Sequence, residues 1–116
     1  MLNQRTNAAR AVATELLPAE RDVDAAIIRN AKLAIAVIEG RRACNLPLTT
    51  GQEGLQFVTE ASVRLVEARS LLAQAHASFR SAQIEVGLKA VSFGDEQECP
   101  PVNGELRLVH ADRRAA

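Results

Sequence analysis

The chain has 116 residues, 14 basic and 14 acidic, so it is one domain at most and carries no net charge. The even charge balance, with no basic block and no aromatic platform, argues against nucleic acid as the main partner, because phosphate neutralisation supplies most of that affinity. Hydrophobic residues make up 47%, but there is no Trp or Tyr and only three Phe, and much of the apolar content is alanine. A single copy of such a chain can build only a thin core, which points to self-association.

The chain opens on Met1-Leu-Asn-Gln-Arg with no signal-like apolar core behind it. Its most apolar run, residues 24–38, is interrupted by Arg29, Asn30 and Lys32 and is too short to span a bilayer. A soluble protein of the cytoplasm, without membrane contact, is therefore expected.

The first predicted element is a helix over residues 5–43. Ala9, Val12, Ala13 and Leu16 share one side of its first part. Glu20 and Asp22 follow Pro18 at a place suited to a helix start, and Arg41 and Arg42 suit a helix end. Leu17 precedes the proline and is disfavoured in helical geometry, so a kink or break is expected near 17–18. A turn over 44–50 follows, centred on Pro47. Thr50 and Glu53 then fit the two ends of a capping box.

A second helix is predicted over 51–89. It repeats every seven residues, with large residues at Val58, Leu65, Leu72, Phe79 and Val86 and alanine at 61, 68, 75 and 82. A large and a small residue alternating at sevens reads as a heptad seam in which helices approach closely. Residues 5–43 and 51–89 are of equal length, and a short connection makes neighbours antiparallel. Folding at Pro47 sets Ala34 near Ala61 and Ile27 near Ala68. The expected fold class is therefore all-α: a long antiparallel helical hairpin, residues 1–91, with an alanine-rich heptad seam.

That seam does not account for all the apolar residues. Ile28, Leu33, Ile35 and Val37 on the first helix, and Val63, Val66, Ala73, Ala77 and Ile84 on the second, read as pointing away from it. An exposed apolar patch of this size marks an interface. The hairpin is thus expected to associate into a homo-oligomeric helix bundle, dimeric or higher. Residues 92–116 form an acidic, Pro-containing tail. It reads as flexible, or as a short strand around Leu106 and Leu108 pairing with the same segment of another copy.

Candidate chemistry is sparse. Cys44 and Cys99 stand 55 positions apart, and with His76 and His110 they lack zinc-ligand spacing, so no metal or cofactor is expected. No Glu-x-x-His, no nucleophile elbow and no phosphate loop occurs, so no catalytic residue is assigned and the chain is not expected to be an enzyme. The one cationic cluster is Arg69, His76 and Arg80, flanking the alanine column. Around an oligomer these three could grip a small anion.

The runs "LLPAERDVDAAI", "GQEGL" and "LVEARSLLAQAHASFRSAQIEVGL" resemble short uncharacterised helical proteins encoded by bacterial phages and prophages, over residues 16 to about 90. The resemblance implies a bacterial host cytoplasm and a role as an assembly factor or an inhibitor of a host protein. It also admits an oligomeric sponge that sequesters a nucleotide signal of host immunity. The leading expectation is a non-catalytic, self-associating helical protein that acts on a host or phage protein. The alternative is nucleotide sequestration through Arg69, His76 and Arg80.

Overall fold

A computed structural model describes residues 2–88. Two long helices make up the described chain: α1, Leu2–Ala43, and α2, Gln52–Glu85. They pack side by side and antiparallel. Partners across the pair run Arg5 with Val86, Glu20 with His76, Asp24 with Arg69 and Asn30 with Ser62, one number rising as the other falls. The longest dimension, 66 Å, is about what a 42-residue helix spans at 1.5 Å per residue. No strand occurs among the described residues, and no helix there is long and apolar enough to cross a membrane. The acidic tail and its strand around Leu106 and Leu108 lie outside the described residues.

α1 continues through Pro18 without interruption, so no break occurs at 17–18. Pro18 is exposed. The carbonyl of Thr14, which would accept from an N–H at position 18, can therefore be met by water, and the cost of the proline stays local. Both helices end in the same way. Cys44 caps α1, Asn45 takes a left-handed φ of 50°, and the amides of Asn45 and Leu46 donate to the carbonyls of Arg42 and Arg41. At the end of α2, Gly87 has φ 83°, and the amides of Gly87 and Leu88 donate to Ile84 and Gln83. These are two Schellman caps, which satisfy carbonyls that the last turn leaves open. Gly87 thus ends the helix four residues before the expected 89.

The Thr50–Glu53 capping box does not form. Gly51 is the N-cap residue of α2, with φ 78° and no side-chain cap bond, while the amide of Thr50 donates to Pro47 inside the turn. The turn demands a left-handed residue immediately before the helix. Only glycine takes that conformation without strain, and this moves the helix start one residue beyond the threonine.

On α1 the positions shielded by α2 include Thr6, Ala9, Ala13, Leu16, Glu20, Val23, Ile27, Asn30, Ala34, Val37 and Arg41, spaced alternately by three and four. On α2 they include Leu55, Val58, Ser62, Leu65, Leu72, His76 and Gln83. The large column at 58, 65 and 72 is therefore inside, as the sequence pattern implies. Its companion column is not alanine, however. Ala68 and Ala75 are half-buried, while Ala61 and Ala82 are exposed. The Ser62, His76 and Gln83 column turns inward instead, and the alanines form the edge of the contact.

Candidate functional site

The inward column brings polar groups of the two helices into register. Near the loop, Asn30 Nδ2 donates to Ser62 Oγ at 2.6 Å and to the Val58 carbonyl at 2.8 Å. In the middle, Arg69 Nε donates to Asp24 Oδ1 at 2.6 Å, with both side chains more than half exposed. Further along, His76 Nδ1 lies 2.7 Å from Glu20 Oε1. His76 is 3% exposed, and it and Leu88 are the only buried residues among those described. A carboxylate accepts, so the bond fixes Nδ1 as the donor and orients the ring. No buried side-chain nitrogen or oxygen is left without a partner among the described residues.

These pairs act on structure first. The exposed Arg69–Asp24 pair contributes at most about 1 kcal/mol. The Asn30 and Glu20–His76 bonds are shielded, and sliding either helix by a turn would strand their polar groups. Polar residues inside a helix pair specify register in this way.

Two grooves meet at His76. The first, about 340 Å³, is lined by Glu20, Arg21, Asp24, Arg69, Leu72, Ala73 and His76. The second, about 300 Å³, lies at the open end of the hairpin. Its walls are Arg5, Ala8, Ala9, Val12, Ala13 and Leu16 from α1, and His76, Phe79, Arg80, Ala82, Gln83 and Val86 from α2, with Leu88 beyond. The three cations singled out in the sequence therefore do not line one groove. Arg69 borders the first and Arg80 the second, and His76 stands between them. Arg69 and His76 each face a carboxylate, so an anion at either would compete with Asp24 or Glu20. Among the described residues no group of three or more His, Cys, Asp or Glu is clustered in a way that could hold a metal ion.

The outward apolar residues fall on two sides of the hairpin. Asp24 and Ala73 border the same groove. Ile28 and Ile35 follow Asp24 at four and eleven residues, and Val66, Ala77 and Ile84 lie seven, four and eleven from Ala73. They therefore share that side, joined by Val63. All of these are exposed, Ile28 and Ile84 at 57%. Leu33 belongs to the other side, at sevens from Val12, together with Phe57, Leu71 and the alanine column. Val37 does not point outward. It is half-buried in the helix contact, and a Cβ on Gly51 would meet its Cγ1 at 3.6 Å.

The inward pairs could have been found from the sequence. The register set by folding at Pro47 places His76 opposite residues near 20, Arg69 opposite residues near 25 and Ser62 opposite residues near 32. A complementary partner stands at or beside each of those places. Compared with protein-family models, with characterised proteins and with solved structures, the chain matches none.

Proposed function

We propose that the protein is a non-catalytic helical binding protein that works as a self-associated bundle, its target a host or phage protein as the phage-like texture of the chain implies. One observation supports this above the others. Among the described residues Leu88 is the only large apolar side chain that is buried, while fifteen remain exposed along the helices and the turn. A hairpin with no sealed interior gains stability by covering those rows against another surface.

The side that carries Ile28, Ile35, Val63, Val66, Ala73, Ala77 and Ile84 is the better candidate for a second copy. Its α2 row, Val63 to Ile84, runs about 32 Å along a helix about 10 Å wide. With the α1 row beside it, Ile28 to Ile35, these residues form an apolar strip of roughly 400 Å², which would be the centre of a standard interface of roughly 800 Å² per partner. Sedimentation or light scattering of the intact chain at micromolar concentration tests this reading. A dimer or larger species is expected. The paired change Ile35→Lys and Val66→Lys should return a helical monomer with the same far-ultraviolet circular dichroism. A wild-type chain that stays monomeric at tens of micromolar removes the proposal. Sequestration of a nucleotide gains less support from the geometry, because Arg69 and His76 already face Asp24 and Glu20.

A further inference from the structure

The side that carries Ile28 and Val66 also decides how a second copy lies on it. Two identical surfaces that meet are related by a two-fold axis. With the helices aligned, that axis runs either along them or across them. An axis along the helices lays α1 on α2 of the second copy, with like ends together. An axis across the helices lays α1 on α1 and α2 on α2, each pair antiparallel, and reverses the copy end for end. One variable is then left, the level at which the axis crosses.

Each helix supplies that level on its own. On α1, Arg21 and Asp24 both line the groove of about 340 Å³ on this side. Reversal about their midpoint sets Arg21 of each copy against Asp24 of the other, so two oppositely charged contacts form across the axis. It also places Ile28 over Leu17, which stands seven residues before Asp24, and Ile35 along the stem of Arg10. On α2, Val63, Ser70, Ala77 and Ile84 repeat at sevens, with Val66 and Ala73 in the next column, and all six are exposed. Reversal about Ser70 sets Val63 over Ala77 and Val66 over Ala73, large on small, so the helices can approach closely. The two levels coincide. Asp24 stands level with Arg69 and Asn30 with Ser62, which puts the midpoint of Arg21 and Asp24 beside Ser70. The same point lies halfway along α1, Leu2–Ala43, so the copies overlap over nearly their full length.

With like ends together, Asp24 would face Ser70 and Arg21 would face Ala73, so neither charge meets its opposite. Ile28 would then meet Val66, large on large. We propose that the second copy lies on this side reversed end for end, on an axis that crosses the helices at Ser70, with Arg21 of each copy against Asp24 of the other. Asp24 then bridges Arg69 of its own chain, at 2.6 Å, and Arg21 of the second copy. A carboxylate has lone pairs for both, and a guanidinium carries five N–H donors. The groove at Arg21, Asp24 and Arg69 is one half of a site that the second copy closes. This arrangement rests on the self-association proposed above and adds its orientation and register.

Cysteine cross-linking of the full chain tests it, in a background with Cys44→Ser and Cys99→Ser. Ser70→Cys places a thiol at the axis, next to its own counterpart in the second copy. Ile84→Cys lies on the same side, but reversal holds its two thiols about 40 Å apart. Under mild oxidation Ser70→Cys should form a disulfide-linked dimer at least tenfold faster than Ile84→Cys, because the bond forms only between close neighbours. An equal mixture of Ile28→Cys and Val66→Cys chains, refolded together, should be as slow as Ile84→Cys. If that mixture is the fastest, like ends lie together and the reversal is overturned. A background chain that sediments as a dimer while Ser70→Cys is no faster than the others also overturns the reversal alone. A monomer removes self-association as well. Arg21→Glu should raise the Kd of the dimer about tenfold in sedimentation equilibrium, whereas Arg29→Glu, on the other side with Leu33, should not. An unchanged Kd for Arg21→Glu removes the contact that sets the register. Matching circular dichroism of all variants shows that the helices are intact.

Discussion

The loop half and the open half of the hairpin share one spacing and differ in what fills it. Towards the loop, Ile27, Asn30, Ala34 and Val37 meet Leu55, Val58, Ser62 and Leu65, and Asn30 ties the helices together with two short bonds. Towards the open end, Thr6, Ala9 and Ala13 face Phe79, Gln83 and Val86, and a trough of about 300 Å³ remains. Three-and-four spacing decides which side of a helix faces its neighbour. The size and bonding of the residues at those positions decide whether the contact closes. The Glu20–His76 pair stands at the border between the two halves and ends the trough.

That border is where the largest effect is expected. Glu20→Ala leaves a ring that is 3% exposed without its 2.7 Å partner. An orphaned buried polar group costs about 1–3 kcal/mol. For a domain of this size each kilocalorie lowers Tm by about 4–8 °C. The loss should be much smaller in the double change Glu20→Leu and His76→Leu, because replacing both partners by apolar groups removes the unmet bond. Thermal denaturation of the single and double variants measures both values. A single variant as stable as the parent would mean that the pair does not hold the border.

A second comparison sets one substitution in both halves. Ala13 and Ala34 are each half-buried on the contact side of α1. Ala13→Leu adds a side chain to an open trough and should stabilise by about 0.5–2 kcal/mol, as cavity filling does. Ala34→Leu adds it beside the Asn30 bonds, where over-packing costs about 1–3 kcal/mol. Chemical denaturation midpoints should therefore move in opposite directions. If both move the same way, the two halves are packed alike.

Much of this fold is legible in the sequence, for identifiable reasons. Equal lengths on either side of Pro47 and a short connection give two antiparallel helices, and the register they imply lies within a few residues of the Asn30–Ser62 and Asp24–Arg69 pairs. The orientation of α2 about its own axis is less legible. Val58, Leu65, Leu72 and Phe79 have alanine on one flank and Ser62, Arg69, His76 and Gln83 on the other. Apolar preference alone selects alanine. The polar column wins because α1 supplies Asn30, Asp24 and Glu20 at matching heights, a cross-helix property invisible to periodicity within one helix. Helix ends follow the same pattern. Gly51 overrides the Thr50–Glu53 box because the backbone geometry of the turn, rather than the capping side chains, sets where α2 begins.

The smallest expected effects compare the two Schellman caps, one at each end of the hairpin. Both need a left-handed residue, Asn45 with φ 50° and Gly87 with φ 83°. Gly87→Ala forces a Cβ into that region and costs about 1–2 kcal/mol. It finds no atom within 4 Å of the new carbon, so the cost is conformational and not a clash. Asn45→Gly relieves the milder strain of asparagine but adds freedom to the unfolded chain, and the two effects oppose each other. A gain of a few tenths of a kcal/mol is expected there, since asparagine tolerates the left-handed region better than other residues with a side chain. The ends then differ in consequence as well as magnitude. Gly87→Ala disturbs the turn that directs Leu88 into the open-end trough, so it should also raise dye binding to exposed apolar surface. Asn45→Gly, which adjoins the closed half, should leave dye binding unchanged. Equal dye binding by the two variants would show that the reversal at Gly87 does not help to cover the trough.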